Sequence, residues 1–131
     1  LARELKCGAL RPIAGEVEAE RFSQADRALF ESLGGRFLGT LEELADALRG
    51  ARLVIGCDSG PAHLAAQLGV RTLALFGPSD PSLWAPVGPA VRTLAPMAPA
   101  PMDRLDERSV LEHAQDMMHS APDPSLSRAP G

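Results

Sequence analysis

The chain has 131 residues, 45% of them hydrophobic, and a formal net charge of -4. That length suffices for one compact domain with a real core but not for two full domains, and no apolar run approaches the roughly 18 to 20 residues of a membrane span, so a soluble protein is expected. A pI near 5.3, with Lys6 the only lysine, argues against a nucleic-acid partner, whose phosphates demand a basic surface.

Cys7 and Cys57 form no C-x-x-C pair, so neither a zinc site nor a disulfide framework is signalled. No metal or cofactor is expected, and a reducing compartment fits the thiols best. No basic and apolar leader precedes the first element, which makes the cytoplasm the expected location. The chain opens at Leu1 inside what reads as a helix, LARELKCG, and so looks cut from something longer.

After Gly8, residues Arg11 to Ala14 (RPIA) read as a strand weakened by Pro12. From Phe22 to Leu33 the apolar residues Phe22, Ala25, Leu29, Phe30 and Leu33 follow a period near 3.6, and Gly34-Gly35 ends that helix. Phe37 and Leu38 suit a brief strand. Thr40 and Glu43 form a capping box for a helix whose apolar stripe is Leu41, Leu44, Ala45 and Leu48, closed by Gly50.

Leu53 to Cys57 (LVIGC) is nearly continuous in apolar residues, as in a parallel strand buried on both faces. A helix from Pro61 to Leu68 and a second apolar strand, Thr72 to Phe76 (TLALF), complete a strand, helix, strand unit. The alternation predicts an α/β fold, a Rossmann-like parallel sheet with flanking helices. Beyond Phe76, GPSDPSLWAPVGP is a proline-rich connection, Val91 to Leu94 a small strand, and Ala95 to Pro101 a linker, because its prolines lack the backbone N-H. A last helix runs from Glu107 to Met118 with Val110, Leu111, Ala114, Met117 and Met118 on one face. The domain is thus assigned to residues 1-119, and the proline-rich tail 120-131 reads as disordered.

Chemistry concentrates in Asp58 to His63 (DSGPAH), just past the strand Leu53 to Cys57, where an open α/β sheet binds its ligands. Pro61 suits the first helical position and leaves Gly60 as the cap. The N-H groups of Gly60, Ala62 and His63, with the positive end of the helix dipole, then make an anion site that a pyrophosphate can approach closely over Gly60. His63, one turn in, can bond a phosphate oxygen. Asp58 repels phosphate and is better matched to sugar hydroxyls. The plainer alternative is that Asp58 and Ser59 merely cap a helix and that His63 is a core histidine. The preceding apolar strand, the proline at the helix start and the histidine one turn in together favour a site. On the same sheet edge, Gly77 to Pro81 (GPSDP) offers Ser79 as a further phosphate or sugar contact, with a rigid turn an equal reading. Trp84 can cover the crevice, although packing is the simpler role.

The stretch from Ala51 to Gly88 resembles glycosyltransferase family 9, the ADP-heptose:lipopolysaccharide heptosyltransferases. The resemblance is carried by a D-[ST]-G-x-x-H loop (Asp58, Ser59, Gly60, His63), H-L-A-A from His63, and a strand ending F-G-P-[ST]-D-P from Phe76. It extends more loosely to MDRLDERSVLEHA near the end. It implies a GT-B architecture of two Rossmann-like domains, with this chain similar to the second, donor-binding half, and a metal-independent, inverting transfer. On that basis Asp58 contacts the donor sugar, Ser59 and Gly60 the phosphates, and His63 lies near them. Glu18 in GEVEAERF bonds the ribose hydroxyls, with Glu16 the alternative, and Gly39 and Leu41 pack the adenine.

The resemblance also implies an ADP-heptose-like donor, a lipopolysaccharide-type acceptor, and a location in the cytoplasm or at the inner face of the cytoplasmic membrane. Two departures stand against it. The family's pyrophosphate-neutralising lysine precedes the point at which this chain opens, and Lys6 falls too late to replace it. The general base belongs to the missing N-terminal acceptor domain, so no catalytic residue can be named here and the chain alone is expected to be inactive. A non-catalytic nucleotide-sugar-binding module is the first alternative. An enzyme like the UDP-N-acetylglucosamine 2-epimerases is the second, but those carry DSG followed by Gly and a later Glu, where Pro61 and His63 stand here.

Overall fold

A computed structural model describes residues 10-119. The predicted first helix, Cys7 and the tail from 120 lie outside the described residues. The chain divides into two compact units, 1-47 and 48-131.

In the first unit, β1 (Ile13–Ala14) pairs in parallel with β2 (Arg36–Phe37). Between them lie two helices rather than one, α1 (Glu16–Arg21) and α2 (Gln24–Ser32). The helix expected to begin at Phe22 starts two residues later, because Ser23 caps it: the Ser23 hydroxyl accepts the N-H of Asp26 at 3.1 Å, and the Asp26 carboxylate accepts the N-H of Ser23 at 3.1 Å. The Ser23 hydroxyl, which also donates to the Asp26 carboxylate at 2.7 Å, and after it the Ser23 N-H hold the Asp26 carboxyl below its ordinary pKa. Phe22 instead joins an aromatic cluster, with ring centroids 5.4 Å from Phe30 and 6.0 Å from Phe37. Gly34 ends α2 at φ 75°, as the paired glycines predicted. Gly35 serves close packing, since a Cβ there would sit 2.7 Å from the Phe30 ring.

The helix α3 (Leu41–Arg49) has Thr40 at its start, whose Oγ1 accepts the Glu43 N-H at 3.1 Å. The Glu43 carboxylate, expected to return to Thr40, reaches one residue further and accepts the N-H of Gly39 at 2.9 Å. The predicted stripe also shortens: Leu44 and Ala45 are half-buried and Leu48 buried, while Leu41 stays 68% exposed.

The second unit is a three-stranded parallel sheet in the order β3 (Val54–Gly56), β4 (Thr72–Leu75), β5 (Val91–Leu94). β4 lies between two partners and buries Thr72, Leu73 and Ala74. β3 pairs only with β4 in this sheet and is half-buried throughout, so its apolar run does not mark a strand buried on both faces. Helix α4 (Gly60–Gln67) connects β3 to β4 and lays Ala62, Ala65 and Ala66 into the core; small side chains let the helix rest close on the sheet. Phe76 follows β4 fully buried.

A short helix absent from the sequence reading, α5 (Pro81–Trp84), follows the GPSD loop. The Asp80 carboxylate caps it by accepting from the Ser82 N-H at 2.9 Å and the Ser82 hydroxyl at 2.8 Å, which lowers its pKa. Trp84 is 58% exposed, which corrects the packing role expected for it. The linker, irregular as predicted, passes directly over Gly77: a Cβ there would lie 2.9 Å from both the Ala100 carbonyl oxygen and the Met102 nitrogen. The last helix, α6 (Glu107–His119), buries Ala114 and Met117, and Arg71 donates to its terminal carbonyls at Met117, 2.9 Å, and Met118, 3.4 Å. No described helix is long and apolar enough to cross a membrane.

Candidate functional site

The parallel register of the second unit pairs Gly56 with Ala74 and Ala74 with Thr93. The residues that follow β3 and β4 therefore emerge at one sheet edge, the carboxyl edge, as the alternation predicted. Asp58 and Ser59 leave β3 there, and Gly77 to Pro81 leave β4 there.

The helix start is tightly seated on its strand. A Cβ on Gly56 would come within 3.3 Å of the Ala62 Cβ. Ser59, in extended backbone at φ -152° and ψ 158°, is the N-cap, where the sequence had suggested Gly60. Its carbonyl oxygen accepts the His63 N-H at 3.2 Å, which removes His63 from the expected set of outward backbone donors. Pro61 has no N-H, and Ala62 is only 1% exposed. Gly60, exposed and with open space where a Cβ would stand, is therefore the position at which a ligand can come close to a free backbone donor. The Ser59 side chain makes no cap hydrogen bond, so its hydroxyl remains available beside Gly60.

Asp58 and His63 had been assigned to different ligand groups, sugar and phosphate. The structure brings them together, with Asp58 Oδ1 3.6 Å from His63 Nε2 and both side chains partly exposed. Their pairing across a strand-to-helix turn was not anticipated. The signal that could have found it is their separation: a helix that begins two residues after Asp58 folds its first turn back toward the strand end. His63 is no core histidine. Ser79 is half-buried at the same sheet edge; neighbouring Asp80 and Gly77 serve the cap and the linker crossing.

In the first unit, Glu18 is exposed and accepts the Gly15 N-H through Oε2 at 2.9 Å, so one carboxylate oxygen is engaged in capping α1. Glu16 is exposed in the first turn of the same helix. Gly39 is exposed with its N-H committed to Glu43, and Leu41 presents bare apolar surface.

Parallel strands, flanking helices and a glycine-bearing helix start at the carboxyl edge define a Rossmann-like α/β fold, consistent with a GT-B-type domain. Residues 11-114 match the family model Glycosyltransferase family 9 (heptosyltransferase), and the chain belongs to that family. Among curated relatives, it is 46% identical over 44 residues to lipopolysaccharide heptosyltransferase 1 of Salmonella typhimurium, covering 34% of this chain and 14% of that protein. It is 50% identical over 42 residues to lipopolysaccharide heptosyltransferase 1 of Pseudomonas aeruginosa, 32% and 12% of the two chains. A lipopolysaccharide heptosyltransferase 3 of Escherichia coli is 43% identical over 47 residues, 36% and 14%. The match thus spans a small fraction of each relative's length. No solved structure gives a significant match.

Proposed function

We propose that this chain is the donor-binding part of an inverting glycosyltransferase that moves a heptose or similar sugar from an ADP-linked donor to a lipopolysaccharide-type acceptor. The observation that supports the reading is the Ser59-Gly60 helix start at the carboxyl edge of a parallel sheet, with Asp58 and His63 beside it, in a chain of glycosyltransferase family 9.

In this reading the donor's pyrophosphate meets the Gly60 N-H, the Ser59 hydroxyl and the His63 ring. As the bond from the anomeric carbon to phosphate oxygen breaks, negative charge grows on the departing diphosphate, and donors already aimed at it lower the barrier. Asp58 takes the hydroxyls of the sugar. An acceptor hydroxyl attacks from the opposite face, and its proton goes to a base outside this chain. Ser79 is a further phosphate or sugar contact. Glu18 or Glu16 is assigned to the ribose hydroxyls. Gly39 and Leu41 are assigned to the adenine, for which the exposed Leu41 side chain is suited. The partners in this account are the nucleotide sugar and an N-terminal acceptor domain, and the protein works in the cytoplasm.

Isothermal titration of the chain against ADP, GDP, UDP and CDP tests the nucleotide. ADP is expected to bind at least about tenfold more tightly than the pyrimidine diphosphates, a difference of about 1.4 kcal/mol. Equal affinities across the panel would remove the adenine assignment, and absence of any binding would remove the donor-binding reading.

A further inference from the structure

We propose that Asp58 also serves the diphosphate site indirectly, as a positioning residue that holds the His63 ring for the phosphates. The inference rests on the donor-binding reading above. Asp58 Oδ1 lies 3.6 Å from His63 Nε2, so one ring nitrogen faces a carboxylate and Nδ1 is left for a ligand. The His63 backbone is fixed by its bond to the Ser59 carbonyl, 3.2 Å, but that bond does not set the rotation of the ring. A carboxylate beside one nitrogen does.

Electrostatics makes the arrangement informative. A lone carboxylate at the mouth of a diphosphate site opposes binding, since like charges repel. A doubly protonated ring between the two anions changes that, with Nε2-H turned toward Asp58 at ion-pair distance, 3.6 Å, and Nδ1-H turned to a phosphate oxygen. The sign of the Asp58 effect on ADP, which carries no donor sugar, thus depends on whether His63 is present. A carboxylate that only grips sugar hydroxyls gives no such dependence.

The test is a double-mutant cycle on the full chain, with ADP as the probe and calorimetry as the readout. Asp58→Ala is expected to weaken ADP binding about three- to fivefold, the scale of a partly exposed ion pair, although it removes a negative charge. In the His63→Gln background the same substitution is expected to tighten ADP binding about twofold. Asp58→Asn, which keeps an acceptor oxygen, is expected to fall between wild type and Asp58→Ala, and circular dichroism of each variant should match wild type. Unchanged or tighter ADP binding by Asp58→Ala with His63 in place overturns the proposal, as does the same loss in both backgrounds. Wild-type protein that fails to bind ADP overturns the donor-binding reading and this inference together. Wild-type binding with additive substitutions overturns the inference alone.

Discussion

Alanine at Asp58 or at His63, each made separately in the full-length protein, is expected on the proposed donor-binding role to lower donor turnover by on the order of 100-fold while leaving the fold intact. Both side chains are partly exposed at the sheet edge, and neither belongs to the buried core of its unit, which includes Ala62, Ala65, Ala66, Leu73, Ala74 and Phe76. Their loss should therefore register in catalysis rather than in unfolding. In the proposed role His63 meets charge that grows on a leaving diphosphate, so its removal should depress kcat more than it raises KM. Asp58 is proposed to grip the transferred sugar, so its removal should affect both constants. Steady-state kinetics with an ADP-linked sugar, alongside thermal unfolding of each variant, separates the two effects. Kinetics unchanged in both variants would sink the assignment of this loop.

The second large effect is on stability. Gly88→Ala places a Cβ against the Ala66 carbonyl group and within 3.0 Å of the Ala66 Cβ. Ala66 is fully buried in α4, and its backbone cannot retreat without moving that helix off the sheet. The expected cost is about 3 kcal/mol, the upper part of the range for overpacked cores. That corresponds to a fall in Tm of roughly 10 °C or more for a domain of this size. Gly39→Ala is the control, since nothing lies within 4 Å of a Cβ there, and it should change stability by less than about 0.5 kcal/mol. Thermal unfolding by circular dichroism measures both. A Gly88→Ala protein as stable as the control would mean that the close seating of this segment on α4 is wrong. Because α4 presents Ser59, Gly60 and His63, a protein damaged in this way should also bind ADP less well.

Much of the fold could be read from the chain because burial writes itself into sequence. The apolar run at Thr72 to Leu75 became the central strand, and the family-like DSGPAH segment became a strand-to-helix turn. Errors fell where local chemistry outweighed apolar periodicity. Leu53 to Cys57 reads as a fully buried strand, yet the strand formed there, Val54–Gly56, pairs on one side only in its sheet, and composition does not report the number of neighbours. α1 has no buried residue, so it carries no hydrophobic stripe to recognise; Glu18 instead secures it by returning to the Gly15 N-H. α2 begins late because Ser23 and Asp26 cap it, while Phe22 belongs to a cluster of rings rather than to a helix face. α5 is hidden in GPSDPSLW because the residues that mark a turn, Asp80 and Pro81, are also those that cap a helix and begin it.

The strand-to-helix turn was legible in its residue types, its bonds less so. Glycine, proline and histidine around a strand end predict an exposed helix start, but which backbone groups remain free depends on the cap. With Ser59 rather than Gly60 in that position, the His63 N-H is consumed and Gly60 carries the approach. The pairing of Asp58 with His63 depends on the turn geometry and could not be read from residue types alone. For Glu18 and Gly39, the bonds to Gly15 and Glu43 show that part of their capacity already serves local structure.

If the start of α4 holds a donor diphosphate, as proposed, amide NMR during an ADP titration will show it there. The largest shift changes are expected on Ser59, Gly60 and His63, saturating together with the calorimetric isotherm. Saturable binding of ADP that leaves those amides unmoved would contradict it.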